Sequence, residues 1–463
     1  MFLSNKIKNS LYVLLAYFIS IIISLINTLY LSRNLDPKEF AIFGSLISIS
    51  LVISGIFSFS QSRFLTEGVK IKRLEEFSIN VVSISLLPLL IFLLSFNIFG
   101  DELVNSNIKD FLILISVLIT SNLIKIFFLN YERIRNNYKN YFYYYIYDKI
   151  ILFLSLVIFI FTGHFEIFIK IYCLLNIVII LNYFVKFKKI NFKFLNDLEL
   201  IKSSTYKFFL NIVDYLISIH ILIFVMMNIG EFNISSSITL GLTIYSLMMI
   251  PLAILETFLG PIIARIFKQK DKELFFRFIN KNLINFYYFL FFAFFIFKII
   301  IFKFNILEIL FPKYTDYKLI IFSVSYLTFY SFIKLYFYWF FMAMNKVEII
   351  LKNTIYHSII VVFLFFYFYS NLNLFIYFFI LSFLLFSILV TYSFNLQKRN
   401  KSFLKVIIIN LIVIFDFTIF YLFEDLQIYS NIFNSIFLFI FYFYHKEIKI
   451  FILELSKIKL RNK

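Results

Sequence analysis

The sequence predicts an all-α polytopic membrane protein, and three observations lead there: an excess of apolar residues, apolar runs of membrane-spanning length in regular succession, and basic residues that collect in alternate breaks between the runs. Of 463 residues, 62% are hydrophobic and 15% charged, with a mean hydropathy of +0.91. Soluble globular chains carry about 45–50% apolar and about 25% charged residues. A helix needs roughly 20 apolar residues to cross about 30 Å of hydrocarbon, so this length accommodates many spans and no large extramembrane domain.

Runs long enough to span fall at 10–31, 40–60, 78–99, 110–130, 141–162, 166–185, 208–228, 238–264, 282–304, 319–344, 353–370, 374–394, 406–423 and 431–445. They predict about fourteen helices, or twelve to fourteen depending on how 353–394 and 431–445 are divided. The first run follows Lys6 and Lys8. It is longer than the roughly 7–15 residues of a signal-peptide core and lacks a small-x-small cleavage site, so it is expected to remain as the first span.

The formal net charge of +18 raises nucleic acid as a partner, and the positions of the charges argue against it. If the N-terminus is cytoplasmic, roughly 33 basic residues lie on that side and about 6 on the other, the positive-inside asymmetry of a multi-pass protein. No basic helix is free of the membrane to reach a duplex. Both termini are therefore expected in the cytoplasm of a bacterial cell, with the chain in its cytoplasmic (inner) membrane and lipids as neighbours. Cys173 is the only cysteine, which excludes an internal disulfide and a cysteine-based metal cluster. His164, His220, His357 and His445 have no metal-ligand spacing, and no cofactor or metal is implied.

The outer loops are short, at 32–39, 100–109, 163–165, 229–237, 305–318, 371–373 and 424–430. Membrane glycosyltransferases and polymerases need an exposed acid/base constellation, usually on a large outer loop. The arrangement therefore favours a transporter over an enzyme. Transporters often duplicate half of the fold, and the first helix pair, with Gly44 and a terminal Arg63, has a faint counterpart in the seventh and eighth helices, with Gly241 and Arg265. The expected organisation is a six-helix lobe over 1–185, a basic cytoplasmic linker over 186–207, a second six-helix lobe over 208–394, and two additional helices with a basic tail over 395–463.

The stretch NKIKNSLYVLLAYFISIIISLINTLYLSRNLDPKEFAIFGSLISIS, followed by FSQSRFLTEG, resembles the opening of the Wzx-type polysaccharide (O-antigen) flippases of the multidrug/oligosaccharidyl-lipid/polysaccharide (MOP) exporter superfamily. The matching positions are Leu31, Ser32, Arg33, Leu35, Pro37, Glu39, Phe40, Gln61 and Arg63. Asp36 stands where glycine is usual before the proline, and Ala41 where glycine is common after Phe40. A second stretch, ILEILFPKYTDYKLIIFSVSYLTF, is similar to the family's break before helix ten, with Pro312 in place of glycine. Together they cover about a fifth of the chain. The resemblance implies two lobes in a MATE-like arrangement that flip an undecaprenyl-diphosphate-linked oligosaccharide, an O-antigen, capsule or exopolysaccharide repeat unit, to the outer leaflet by alternating access. Other glycan-assembly proteins are then possible partners.

Such a head group cannot cross unaided, because every hydroxyl and charge would lose water at several kcal/mol per unsatisfied group. Ionisable residues inside apolar runs, each costing about 2.5–3.5 kcal/mol at a helix centre, are therefore the candidate cavity lining. Lys334, mid-helix ten, ranks first as a partner for the diphosphate, with an internal ion pair as its alternative. Lys298, Lys125 and Arg63 follow. Lys298, Lys125 and Lys170 can also snorkel to an interface. Asp148 and Lys149 lie one or two turns into helix five, and whether they are buried depends on where that helix starts. Asp214 and Glu256 are candidate ion-coupling carboxylates or counter-charges, and Pro251 and Pro261 predict a bend beside Glu256. Asp416 falls outside the expected two-lobe core, and His220 reads as a packed histidine. The tyrosines of 141–147 read as an interfacial belt first and a sugar-stacking surface second. Rival readings are an exporter of small cationic molecules, which should prefer an acidic cavity, a membrane-embedded glycan polymerase or glycosyltransferase, and a structural membrane partner.

Overall fold

The computed structural model describes residues 2–58, 93, 111–135, 137–187, 209–252, 272–343, 347–398 and 401–422. The regular elements among them are all helical. They are α1 (Phe2–Asn34), α2 (Pro37–Phe57), α3 (Leu112–Ile134), α4 (Tyr138–Thr162), α5 (Phe165–Phe187), α6 (Phe209–Leu216), α7 (Ile219–Asn228) and α8 (Phe232–Met248). After these come α9 (Lys272–Lys303), the short α10 (Ile306–Leu310) and α11 (Lys318–Ser323), then α12 (Leu327–Ala343), α13 (Val347–Phe368), α14 (Leu372–Lys398) and α15 (Lys401–Leu422). Nine helices among the described residues are long and apolar enough to cross a membrane, or ten if the bent pair α6–α7 counts as one span. The spans expected at 78–99 and 431–445 lie outside the described residues, apart from Leu93, and the 186–207 linker lies almost wholly outside them.

Local chemistry accounts for the helix ends. The motif around Pro37 starts a helix: Asp36 is the N-cap of α2, Pro37 follows it, and Glu39 accepts the Asp36 backbone N–H at 3.3 Å. Proline is tolerated there because a first-turn N–H has no intrahelical partner. α4 ends on Gly163, whose φ of 68° lets the chain turn into α5, and Gly230, at φ 89°, turns α7 into α8.

Burial follows helix periodicity. On α1 the exposed Leu11, Leu14, Phe18, Ile22 and Ile26 form a stripe three to four residues apart, while Val13, Ala16, Tyr17, Ser20 and Asn27 turn inward. α2 is apolar all round and is 83% buried over its spanning window, as expected of a helix surrounded by others. Two glycines bring it close to its neighbours. A Cβ on Gly44 would collide with the Thr239 side chain of α8, and one on Gly55 with the Tyr215 ring of α6.

The chain divides into two compact units, residues 1–268 with 341–359, and residues 269–340 with 360–463. In the first, α1 packs along α4, and α2 packs between α3 and the α7–α8 hairpin. In the second, α14 lies along α15 and α15 against α9, around an aromatic core in which Phe294 touches Tyr326 and Phe329, and Tyr326 touches Phe417 and Phe420.

Three local expectations change. The run at 208–228 is two helices bent by 54°, although it contains neither proline nor glycine. At the bend, Ser218 Oγ donates to the Tyr215 carbonyl at 2.7 Å, a side-chain bond that competes with the helix ladder. α8 begins at Phe232, not 238, and breaks at Met249, two residues before Pro251, with 250–252 helical again; Pro251 has no N–H to donate to the preceding turn, and Glu256 and Pro261 lie outside the described residues. α4 begins at Tyr138, so Asp148 is nearly three turns into the membrane span, about 15 Å along it.

Candidate functional site

The first unit contains a cavity of about 340 Å³ walled by α1, α2, α4, α7 and α8. Each wall is a stripe at helical spacing: Tyr17, Ser20, Ser24 and Thr28 on α1; Gly44 and Ser48 on α2; Tyr145, Lys149 and Leu152 on α4; Thr239, Thr243 and Ser246 on α8. The walls come from helices on both sides of the 186–207 stretch. α7 contributes His220, which the bend at 217–218 sets two residues into a new helix, with Nδ1 3.3 Å from Ser48 Oγ.

The hydroxyls are directed. Thr239 and Ser246 donate to the carbonyls of Ser235 and Leu242 at 2.9 and 2.7 Å. That spends their protons on the backbone and leaves their lone pairs as acceptors. The single Thr243 hydroxyl proton is shared between Thr28 Oγ1 across the gap at 3.4 Å and the Thr239 carbonyl of its own helix at 3.5 Å, a long contact between α8 and α1 at one end of the cavity. At the other end Ile250 packs against Val13 and Tyr17. Near the Thr28 end, Ser236 Oγ also donates to the Pro37 carbonyl at 2.8 Å. The α1–α2 hairpin is thus stitched to the α7–α8 hairpin by side-chain bonds.

Among the described lining residues, Lys149 is the formal charge, and no carboxylate is present. Beside it, Asp148 pairs with Lys125 at 2.7 Å and lies 3.7 Å from Lys149. Lys125 also sits over the Tyr145 ring, 5.5 Å from its centroid. The tyrosines form part of the wall itself: Tyr17 and Tyr145 meet edge to face at 4.7 Å, and Tyr17 shares a 3.1 Å hydroxyl bond with Tyr141.

The remaining sequence candidates occupy different surroundings. Lys298 is 1% exposed, and both carboxylate oxygens of Asp416 lie 2.8 Å from its ammonium. Phe420 lies beneath the ammonium at 4.8 Å, and the Tyr326 hydroxyl bonds the same carboxylate. Asp416, expected outside the two-lobe core, is a buried counter-charge on α15. Lys334 is half-buried on α12, with its ammonium 5.6 Å from the Tyr330 ring centroid. Asp214 is half-buried on α6. Arg33 is exposed at the end of α1, and Pro37 and Glu39 serve the start of α2. Lys170 is exposed and pairs with Glu166 at 3.4 Å. Arg63 and Glu256 lie outside the described residues.

Sequence reasoning did not assign the serine and threonine stripes or His220 to a site, and left Lys149 undecided. The stripe on α8 has a signal, Thr239, Thr243 and Ser246 at intervals of four and three, but spanning helices commonly carry such residues bonded to their own backbone.

No protein-family model matches the chain, and no curated protein matches it. Solved structures do. The chain is similar to the MATE multidrug transporter DinF-BH, solved in complex with rhodamine 6G, with a TM-score of 0.60, 15% identity, and coverage of 87% of this chain and 96% of that one. It is similar to the lipid II flippase MurJ in an inward closed conformation, with a TM-score of 0.60, 16% identity, and coverage of 92% and 98%. It is also similar to the Vibrio cholerae MATE transporter VcmN, with a TM-score of 0.51, 12% identity, and coverage of 92% and 97%. At these identities the likeness shows a fold shared with these MATE transporters and with MurJ.

Proposed function

We propose that this chain, which has the multi-pass fold of the MOP exporters, is a transporter that flips a lipid-diphosphate-linked oligosaccharide from the cytoplasmic to the outer leaflet by alternating access. The observation that carries the reading is the cavity: stripes of hydroxyls, His220 and one lysine set among apolar side chains such as Ile21, Phe43 and Ile47, with no carboxylate among its described lining residues. Hydroxyl acceptors substitute for the water that sugar hydroxyls lose, and Lys149 offsets the charge of the diphosphate. About 340 Å³ is at the small end of ligand sites, roughly 300–1,000 Å³. It suits a diphosphate and the adjoining sugar, with the rest of the glycan beyond it.

The stitched α1–α2 and α7–α8 hairpins are the natural outer gate, since the positive-inside distribution puts the 32–39 and 229–231 turns on the outer side. Opening that side requires breaking the Ser236–Pro37 and Thr28–Thr243 bonds, each worth about 0.5–1.5 kcal/mol net, a small barrier for a moving gate. Lys334, within the second unit, is proposed separately as a residue that glycan export needs.

A second reading, export of small cations, draws on the acceptor hydroxyls and on the likeness to DinF-BH. The lysine opposes it: a cation 4 Å from Lys149 is repelled by about 4 kcal/mol at an effective dielectric near 20. Vesicles containing the purified chain test the two readings together. A prenyl-diphosphate-linked disaccharide should cross with the native chain and not with Lys149→Met, and rhodamine 6G should not be carried. Dye transport without glycan transport rejects the proposal.

A further inference from the structure

Among the described residues, a fully buried ion pair and a partly buried ion cluster lie within apolar helices, and their surroundings differ. Lys298–Asp416 is a closed pair with both partners 1% exposed, and aromatic rings surround the lysine. Lys125–Asp148–Lys149 is a triad on α3 and α4 with graded exposure: 19% for Lys125, 20% for Asp148 and 32% for Lys149. One carboxylate faces two ammonium groups, and the split is unequal, 2.7 Å to Lys125 against 3.7 Å to Lys149. Lys149 lines the cavity, and neither Lys125 nor Asp148 is among its described lining residues.

Adjacent residues of a helix point about 100° apart, yet the charged ends of Asp148 and Lys149 come within 3.7 Å, so Asp148 is a counter-ion within reach of Lys149. Left alone, the two would neutralise each other, and the cavity would hold hydroxyls without charge. Lys125 prevents this from the neighbouring helix. Its ammonium takes the shorter contact with the carboxylate and is held over the Tyr145 ring, a face that favours a cation. We propose that Lys125 is a positioning residue: by engaging Asp148 it keeps Lys149 available to bind an anionic diphosphate, without touching the ligand itself. The triad then carries one net positive charge, delivered at the one member that faces the cavity. This rests on the reading that the cavity takes an anionic head group.

The test is a binding titration of farnesyl diphosphate against the purified full-length chain in detergent, with farnesol as the uncharged control. Lys125→Met lets Asp148 turn to Lys149 and should weaken binding about tenfold or more, because the charge it neutralises sits in a medium of far lower effective dielectric than water. Adding Asp148→Asn to that variant removes the released carboxylate and should restore affinity to within about threefold of the native chain. Lys149→Met should lose diphosphate-dependent binding. Lys125→Gln, which keeps a donor but no charge, is the second variant in case the methionine chain does not accumulate, and should weaken binding equally. A merely structural pair would also be rescued by the double variant, but its loss in Lys125→Met would lower farnesol binding and the native elution volume together with diphosphate binding, whereas the proposal predicts loss of the diphosphate-dependent part alone. Native affinity in the Lys125 variants, or a double variant no tighter than Lys125→Met, overturns the proposal while leaving the cavity reading intact. Native affinity in Lys149→Met overturns the cavity reading itself.

Discussion

Removing one partner of the Lys298–Asp416 pair should be far more damaging than removing both. The ammonium has two carboxylate oxygens at 2.8 Å, both residues are essentially inaccessible, and the Tyr326 hydroxyl bonds the same carboxylate. Asp416→Leu leaves a buried ammonium with no counter-charge, at a cost of about 3–5 kcal/mol, and orphans the tyrosine hydroxyl for about 1–3 more. Folded domains are stable by only about 5–15 kcal/mol, so the single variant should lose most of its native population. The triple variant Lys298→Met, Asp416→Leu, Tyr326→Phe replaces the network with apolar groups of similar volume and should lie within about 1 kcal/mol of the native chain or above it. The assay is SDS titration of purified chains in mixed micelles, read as the fraction retaining the native elution volume. Single and triple variants of equal stability would refute the reasoning, because the cost is assigned to an uncompensated charge rather than to lost packing.

The other predictions concern the cavity and the cycle. Gly44→Ala places a methyl group against Thr239 and should cost about 1–3 kcal/mol, with Gly44→Ala, Thr239→Ala recovering most of it in the same SDS titration. In a chain whose one cysteine is replaced, S24C and S48C should react with a hydrophilic maleimide in membranes while F18C and I22C, on the exposed apolar stripe of α1, should not; the reverse pattern would turn α1 around. Lys334→Ala should abolish glycan export without loss of protein from the membrane, as read by surface polysaccharide and immunoblot; retained export would remove Lys334 from the mechanism.

The helices were legible because hydrocarbon imposes one demand, about twenty apolar residues in a row, and most of the runs read from the sequence coincide with described helices to within a few residues. What was not legible depended on partners from distant sequence. The bend at Ser218 has no proline or glycine to announce it, only a serine hydroxyl that finds the Tyr215 carbonyl. Lys149 and Lys298 look alike in sequence, each a lysine in an apolar run. Only the packing of α3 beside α4 and of α15 beside α9 gives one a shared carboxylate at a cavity wall and the other a sealed partner. Asp148 looked undecided because three residues of uncertainty at a helix start are nearly a full turn of depth. Pro37 and Glu39 were read as part of a family signature and Asp36 as a departure from it, and the structure adds a local purpose for all three, starting α2.

A photo-crosslinking amino acid at Thr243, inside the cavity, tests the central claim most directly. In membranes making the lipid-linked glycan, that position should capture a glycan-bearing adduct, and the adduct should vanish with Lys149→Met; the same amino acid at Phe18 should capture lipid without sugar. A glycan adduct at Phe18 and none at Thr243 would contradict the account.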